Sequence, residues 1–271
     1  KDLSKFYEET IDKITSDKTK KDKFIGARYK STSYVKPEYL DAIAERGGYE
    51  DKALLKKSLE NISDFMKRLL VRRFESCIYS FRSTLDNIIK SNIKILEYFE
   101  SEGVVPIYKG GDLPDIEDVM EDGDDKLKLE KFDDFPEVKK LKKKGMWLIY
   151  KKELNDKFHH DIKKDIKLLT DLKTKWDNIL TKDFIDPKFN KFLEFIKEKL
   201  KNDKKRKLLI FSEFADTADY LYKCLFDKGI KVFKYTSADA SKKENRQVII
   251  DNFDASSENQ KNNYDVLVAT D

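Results

Sequence analysis

The chain has 271 residues, of which 40% are charged and 39% are hydrophobic. Ordinary globular domains carry about 25% charged residues, so the charge content is high. The 56 basic residues are nearly balanced by 52 acidic ones, and the net charge of +4 is below that of a strongly basic nucleic-acid-binding domain. No apolar run approaches the roughly 18 residues that a membrane helix needs, and no apolar signal core follows the first residues.

Cysteine and histidine are too scarce and too poorly spaced for a disulfide framework or a zinc site. The two cysteines, Cys77 and Cys224, form no CxxC pair. His159 and His160 are neighbours on a predicted helix, so their side chains point in different directions and cannot chelate one metal. We therefore expect no metal site and a reducing compartment, the cytoplasm.

The first two-thirds of the chain has the apolar spacing of long amphipathic helices. Three helical stripes run over residues 50–76, 81–99 and 158–179, and the second ends near Gly103, a natural stop. The aromatic side chains at core spacing on these helices are predicted to be buried; they are Phe65, Phe74, Phe81 and Trp176.

An acidic stretch with several glycines at 110–125 separates the second and third helical stripes. We interpret it as a solvated linker, because its glycines and Pro114 break any regular element. The alternative, a carboxylate metal cluster, has no reaction elsewhere in the sequence to serve.

The last third alternates between short apolar runs and helical patterns, which predicts a parallel sheet with right-handed crossovers. The fold class is therefore mixed: a mostly α-helical region over 1–183, then a partial α/β lobe with a short parallel sheet over 184–271. The predicted elements are helix 187–201, strand 208–211, helix 214–227, strand 230–235, helix 242–253 and strand 265–269.

Polar residues follow each predicted strand of this sheet. Ser212 and Glu213 follow the first strand, Thr236 and Ser237 the second, and Thr270 and Asp271 the third. Ligands of such sheets bind beyond the carboxyl ends of the strands. These hydroxyls are therefore the first candidates for a functional site.

Three blocks in this region resemble the second RecA-like lobe of superfamily 2 helicases and translocases of the Swi/Snf-like type, including bacterial DEAD/DEAH-type helicases. Leu208 to Phe214 (LLIFSEF) looks like motif IV. Tyr235-Thr236-Ser237, followed by a helix that carries Arg246, is similar to the next block, and Val266 to Asp271 (VLVATD) looks like the start of motif V. Phe65 to Ser76 is similar to a segment that joins the two lobes in this family.

The resemblance implies that strand-end hydroxyls contact the backbone of a DNA strand, with RNA as a further possible track. The matching positions are Ser212, Ser237 and Thr270, with Arg246 adding a charge, while Asp271 would face ATP or the lobe interface. Hydroxyls and N–H groups suit this work because they bind phosphate oxygens without reading bases.

Two arginines on the segment that resembles the inter-lobe region are additional candidates for binding nucleic acid. Arg68 and Arg72 are one helical turn apart and would contact phosphates or a carboxylate of the motor core. The plainer alternatives remain open: solvated helix positions for the three arginines, and local turns or helix caps for the three hydroxyls.

The sequence contains no phosphate-binding loop and no acidic motif for Mg²⁺. The resemblance thus implies a fragment with no catalytic residue and no ATPase activity of its own. ATP and magnesium would be cofactors of the parent protein, and the missing N-terminal RecA-like lobe would be a partner.

A competing hypothesis is a non-catalytic helical scaffold with an α/β cap that binds protein partners. A third, a nucleotide-binding enzyme lobe, is weakened by the lack of a Gly-rich turn.

Overall fold

The structure is a computed structural model that describes residues 3–15, 22–108, 146–181, 184–203, 205–240 and 243–270. Its helices are α1 (Leu3–Thr15), α2 (Leu40–Gly47), α3 (Lys52–Ser76), α4 (Ile78–Ser101), α5 (Lys157–Asp177), α6 (Pro187–Asn202), α7 (Ala215–Asp227) and α8 (Lys243–Phe253). Its strands are β1 (Val104–Tyr108), β2 (Met146–Tyr150), β3 (Leu208–Ser212), β4 (Val232–Tyr235) and β5 (Val266–Thr270). Short 3-10 turns cover Ala27–Tyr34, Pro37–Tyr39, Lys151–Glu153 and Ser237–Asp239.

The chain folds into two compact units, each built from two separate stretches of sequence. Unit 1 comprises Lys1–Arg72 and Arg82–Trp176, and unit 2 comprises Arg73–Phe81 and Asp177–Asp271. The short stretch around the junction of α3 and α4 therefore belongs to the C-terminal unit. The sequence-based boundary at 183/184 stays a prediction.

Unit 1 is mostly helical and has one two-stranded sheet. β1 and β2 pair antiparallel, with Val104 opposite Tyr150. A cluster of buried apolar side chains in this unit joins α2, α4, both strands and the start of α5; its fully buried members include Ile43, Val105, Ile149, Phe158 and Ile162. The sequence analysis predicted only helices in this region and assigned no element to residues 104–108 and 146–150, so it missed the strands.

A buried carboxylate holds a tight turn of unit 1. Asp165, on α5, is 1% exposed and accepts hydrogen bonds from the N–H groups of Ile25 at 2.7 Å and Ala27 at 2.8 Å. Gly26 between them has φ +71°, and a Cβ there would lie 2.7 Å from the Ser63 hydroxyl oxygen. Only glycine fits this backbone without strain.

Unit 2 contains a three-stranded parallel sheet in the order β3-β5-β4. Side chains of α6 and α7 pack on one face of the sheet around Ile196, Ala218, Leu225, Val266 and Val268. Central β5 is buried along Val266–Ala269 because strands flank it on both edges. The predicted mixed fold class, mostly helical and then a partial α/β lobe with a short parallel sheet, is confirmed.

Most of the aromatic core prediction is confirmed and one member is wrong. Phe74, Phe81 and Trp176 are almost completely buried, whereas Phe65 is 49% exposed. On α3 the neighbouring position, Met66, faces the core, and a helix turns by about 100° between adjacent residues.

Three further predictions from the sequence concern the two histidines, the acidic segment and membrane-spanning helices. His160 is exposed, as expected for a solvated residue, but His159 lies 2.7 Å from a Glu100 carboxylate oxygen and stacks on Phe99. The acidic segment 110–125 lies outside the described residues. Within the described ranges, none of the helices combines the length and apolarity needed to cross a bilayer.

Candidate nucleic-acid interface

The register of the parallel sheet brings two candidate hydroxyls to the same edge. Ser212, the last residue of β3, is paired with Thr270, the last residue of β5. On the other side of β5, Tyr235, the last residue of β4, is paired with Ala269, so Thr236 directly after the strand lies about level with Thr270. Neighbouring strands lie about 4.8 Å apart, so this edge of unit 2 carries a row of three hydroxyl residues.

The Ser212 hydroxyl is held by the turn that leads into α7. Its Oγ donates to the Phe214 carbonyl at 3.1 Å and accepts from the Phe214 N–H at 3.3 Å. The residue is half-buried. A hydroxyl group has one hydrogen and two lone pairs. The turn uses the hydrogen and one lone pair, so Ser212 can donate to a phosphate oxygen only by giving up its bond to the Phe214 carbonyl, and it can keep the bond that it accepts from the Phe214 N–H.

In the turn after β4, the adjacent hydroxyl residues Thr236 and Ser237 have different environments. Thr236 is 5% exposed, and both its N–H and its hydroxyl donate to Asp239 Oδ2, at 3.0 and 2.9 Å. Ser237, the predicted contact, is exposed at the first position of the 3-10 turn. The local capping role therefore belongs to Thr236, and Ser237 presents its side chain to solvent.

The remaining candidates lie in different places along the chain. Thr270 is half-buried at the end of β5, and Arg246 is exposed on α8. Arg68 and Arg72 are exposed on the part of α3 that belongs to unit 1. Asp271 lies outside the described residues.

Arg73 is buried beside the start of α7, although the sequence analysis gave it no separate role. Its Nη1 lies 2.7 Å from Asp216 Oδ2, and its side chain is only 8% exposed. The guanidinium carbon lies 4.5 Å from the centre of the Phe214 ring. Arg73 thus makes an ion pair and a cation–π contact with the turn that holds Ser212.

Other polar groups of the Arg73–Phe81 segment bind α7 and α6. The hydroxyls of Ser76 and Ser80 lie 3.2 and 3.0 Å from the hydroxyl of Thr217, which is 5% exposed. The ammonium group of Lys188 donates to the main-chain carbonyls of Glu75 and Ser76. These carbonyls end α3 and have no partner within the helix.

A cavity of about 510 Å³ lies between this segment, α6, β3 and the start of α7. Asp186 lies on its wall and caps α6, since Oδ1 accepts from the N–H groups of Lys188 and Phe189. Its Oδ2 accepts from the Tyr220 hydroxyl at 2.7 Å. Burial, together with this bond to Asp186, raises the pKa of Tyr220. Burial also raises the pKa of the Cys77 thiol, so neither group is an acid near neutral pH.

Acidic, cysteine and histidine side chains do not gather into a metal site in the part of the chain that the structure describes. No three of them are placed so that they could hold one ion. The sequence also has no phosphate-binding loop.

Residues 187–271 match the family of the helicase conserved C-terminal domain. The matched residues include the whole three-stranded parallel sheet of unit 2, the partial RecA-like α/β lobe of the chain. A solved structure, "Crystal structure of Pyrococcus furiosus Hef helicase domain", is 15% identical with a TM-score of 0.42. That alignment covers 98% of this chain and 43% of the Hef chain. The sequence matches none of the curated proteins.

The structure brings together Ser212 and Thr270 among the predicted positions, with Thr236 beside them. The sequence analysis missed Arg73 and Thr217 as neighbours of this edge. The signal available for Arg73 was its helical spacing, because it lies seven residues after Met66 and three after Leu70, both buried on the core face of α3.

Proposed function

We propose that the chain is part of an ATP-dependent DNA helicase or translocase of the Swi/Snf-like type, in which unit 2 holds one strand by its backbone. The observation that carries the proposal is the match of residues 187–271 to the helicase conserved C-terminal domain. The row of hydroxyl residues at the carboxyl edge of the sheet supports it, because ligands of such sheets bind there.

In this proposal the Ser212 hydroxyl turns its hydrogen from the Phe214 carbonyl to a phosphate oxygen, and Thr270 contacts the adjacent phosphate. Ser237 extends the row, and Arg246 adds a positive charge. Arg68 and Arg72 are further candidate contacts on unit 1. Donors of this kind fix the register of a strand without reading its sequence. DNA is the expected track, and RNA has the same backbone chemistry.

The proposal leaves phosphoryl transfer to other parts of the parent protein. Such transfer needs a lysine, Mg²⁺ and an arginine placed around the phosphates, and the described residues offer no such site. The missing N-terminal RecA-like lobe would bind ATP, and Asp271 would lie at the lobe interface. Closure of the two lobes would then carry unit 2 forward along the strand. The 271-residue chain is expected to hydrolyse no ATP, and measurable hydrolysis would contradict this part of the proposal.

Binding is tested by fluorescence anisotropy with labelled single-stranded DNA, duplex DNA and single-stranded RNA at low salt. Ser212→Ala and Thr270→Val each remove one hydroxyl, and each is expected to weaken binding by roughly 2- to 12-fold, the equivalent of about 0.5 to 1.5 kcal/mol per hydrogen bond. Ser256→Ala is the matched control, because Ser256 is exposed in the loop after α8 and its hydroxyl bonds only Asp254.

The competing hypothesis of a protein-binding scaffold gives a different result in the same assay. If wild type, Ser212→Ala and Arg246→Met have equal affinities for all three nucleic acids, the backbone-contact proposal is wrong and the scaffold is favoured. Equal losses in Ser212→Ala and in the Ser256→Ala control would also contradict it.

A further inference from the structure

We propose that Arg73 is a positioning residue for the Ser212 hydroxyl, and that it acts through Phe214 and Asp216 at the start of α7. The positioning is a property of the fold of unit 2. Its consequence for nucleic-acid binding rests on the proposed function.

The first step is the contact between Arg73 and the turn. The guanidinium bonds the Asp216 carboxylate at 2.7 Å and lies over the Phe214 ring at 4.5 Å. The Arg73 side chain is 8% exposed and that of Asp216 is 34% exposed. An ion pair from which most water is excluded is stronger than a surface pair. A planar guanidinium can bind a carboxylate and stack on an aromatic ring at the same time.

The second step leads from Phe214 to Ser212. The main chain of Phe214 both donates to and accepts from Ser212 Oγ. A shift of the Phe214 backbone therefore moves both partners of the hydroxyl together. Phe214 precedes the first residue of α7 and provides no side-chain cap, and Arg73 adds contacts from another segment to the Phe214 ring and to Asp216.

The third step is the anchoring of Arg73 itself. Its segment is bound to unit 2 at several points, through Ser76 and Ser80 to Thr217 and through the bonds from Lys188. The rings of Tyr79 and Tyr220 stack with their centres 4.7 Å apart. The arginine is therefore presented from a fixed helical junction, about 140 residues before its partner in sequence.

Hydrogen exchange at the Phe214 amide reads the position of Ser212 directly, because this N–H donates to Ser212 Oγ. In Arg73→Met we expect that amide to exchange about fivefold faster, the equivalent of one neutral hydrogen bond. Arg73→Lys keeps the charge but loses the planar contact, so we expect a smaller increase. The reference amide is that of Val268, a fully buried residue of central β5, and its exchange rate should not change.

Arg206→Met is the matched control, since Arg206 is an exposed arginine of unit 2 before the opposite end of β3. It should leave the Phe214 amide unchanged. An unchanged Phe214 rate in Arg73→Met would overturn the proposal. Equal acceleration at Phe214 and Val268 would also overturn it, because that pattern means loss of global stability rather than loss of position.

A double-mutant cycle connects the positioning to binding. We expect Arg73→Met and Ser212→Ala to weaken nucleic-acid binding by similar factors, and the double variant to bind no more weakly than Ser212→Ala. If Ser212→Ala weakens binding and Arg73→Met does not, the positioning proposal fails alone. If Ser212→Ala has no effect while the Phe214 amide still exchanges faster, the positioning stands and the proposed role of Ser212 fails.

Discussion

Asp165 shows how one buried side chain makes the stability of unit 1 depend on pH. Burial raises the pKa of its carboxyl to about 6 from the ordinary 3.8, although the N–H groups of Ala27, Ile25 and Gly26 and the charge of Lys30 favour the ionised form. The folded state therefore binds a proton that the unfolded state has already released at the same pH. Because the folded pKa is the higher one, this stabilising contribution is complete below about pH 4 and is lost as the pH rises through about 6.

We predict that Asp165→Asn removes this dependence. The free energy of unfolding of wild type, relative to the variant, should fall by about 3 kcal/mol between about pH 4 and about pH 7, at 1.36 kcal/mol per pKa unit. The variant should also be less stable at neutral pH, because its amide nitrogen would meet the N–H of Ile25 or Ala27. Urea unfolding followed by tryptophan fluorescence measures this, since both tryptophans, Trp147 and Trp176, belong to unit 1.

Asp171→Asn is the matched control on the same helix, because Asp171 is exposed. Its stability should follow that of wild type across the pH range. If the difference between wild type and Asp165→Asn were constant with pH, or grew as the pH rose, the account of Asp165 would be wrong.

At the scale of the elements, the sequence predicted the helices and parallel strands of unit 2 to within a few residues. Apolar runs bounded by helical patterns are a strong signal there. It missed β1 and β2, because their partners lie about 40 residues apart in sequence and an apolar run such as VVPIY does not distinguish strand from buried helix. Whether such a segment forms a strand is determined by its long-range pairing and not by its local propensity.

Asp186 directly precedes α6 and accepts hydrogen bonds from its first N–H groups, so the stability of the helix should depend on this residue. Asp186→Ala removes the cap of α6, worth about 1 kcal/mol. It also leaves the Tyr220 hydroxyl without its acceptor, worth about 1 to 3 kcal/mol. We therefore expect unit 2 to lose about 2 to 4 kcal/mol of stability, measured by hydrogen exchange at the Val268 amide.

Tyr220→Phe separates the two contributions, because it removes the hydroxyl and keeps the cap. It should cost less than Asp186→Ala, and adding it to Asp186→Ala should restore part of the loss. Tyr222→Phe is the control, on the same helix. A loss in Tyr220→Phe as large as that in Asp186→Ala would contradict the capping role.

At the scale of the whole molecule, the near balance of 56 basic and 52 acidic residues limits how strongly salt can affect binding. With one to three arginines against the strand, the logarithm of the binding constant should fall with the logarithm of salt concentration with a slope of about −1 to −3. Arg246→Met should make that slope shallower by about 0.7 to 0.9. Ser212→Ala should lower the affinity and leave the slope unchanged.

Anisotropy titrations over a series of salt concentrations test this, with Arg206→Met as the charge-matched control. A slope several times steeper would mean that a basic surface dominates binding, and the hydroxyl row would then not be the main contact. An unchanged slope in Arg246→Met would exclude Arg246 from the interface.

The sequence was sufficient to place Ser212 and Thr270 at one edge, because strands of a parallel sheet end on the same side. It could not place Arg73, since no local pattern reports a contact with a residue 143 positions away. The same limit applies to Thr236 and Ser237: both are hydroxyl residues after a strand, and only the turn geometry shows which one is buried.

The divided sequence of unit 2 has a consequence for synthesis on the ribosome. Arg73–Phe81 leaves the ribosome about 100 residues before Asp177–Asp271 begins to follow. At about 5 to 20 residues per second, Arg73, Ser76 and Ser80 are made roughly 5 to 20 s before the helices of their own unit begin to follow. During this interval they lack the partners that they have in the fold, Asp216 and Thr217.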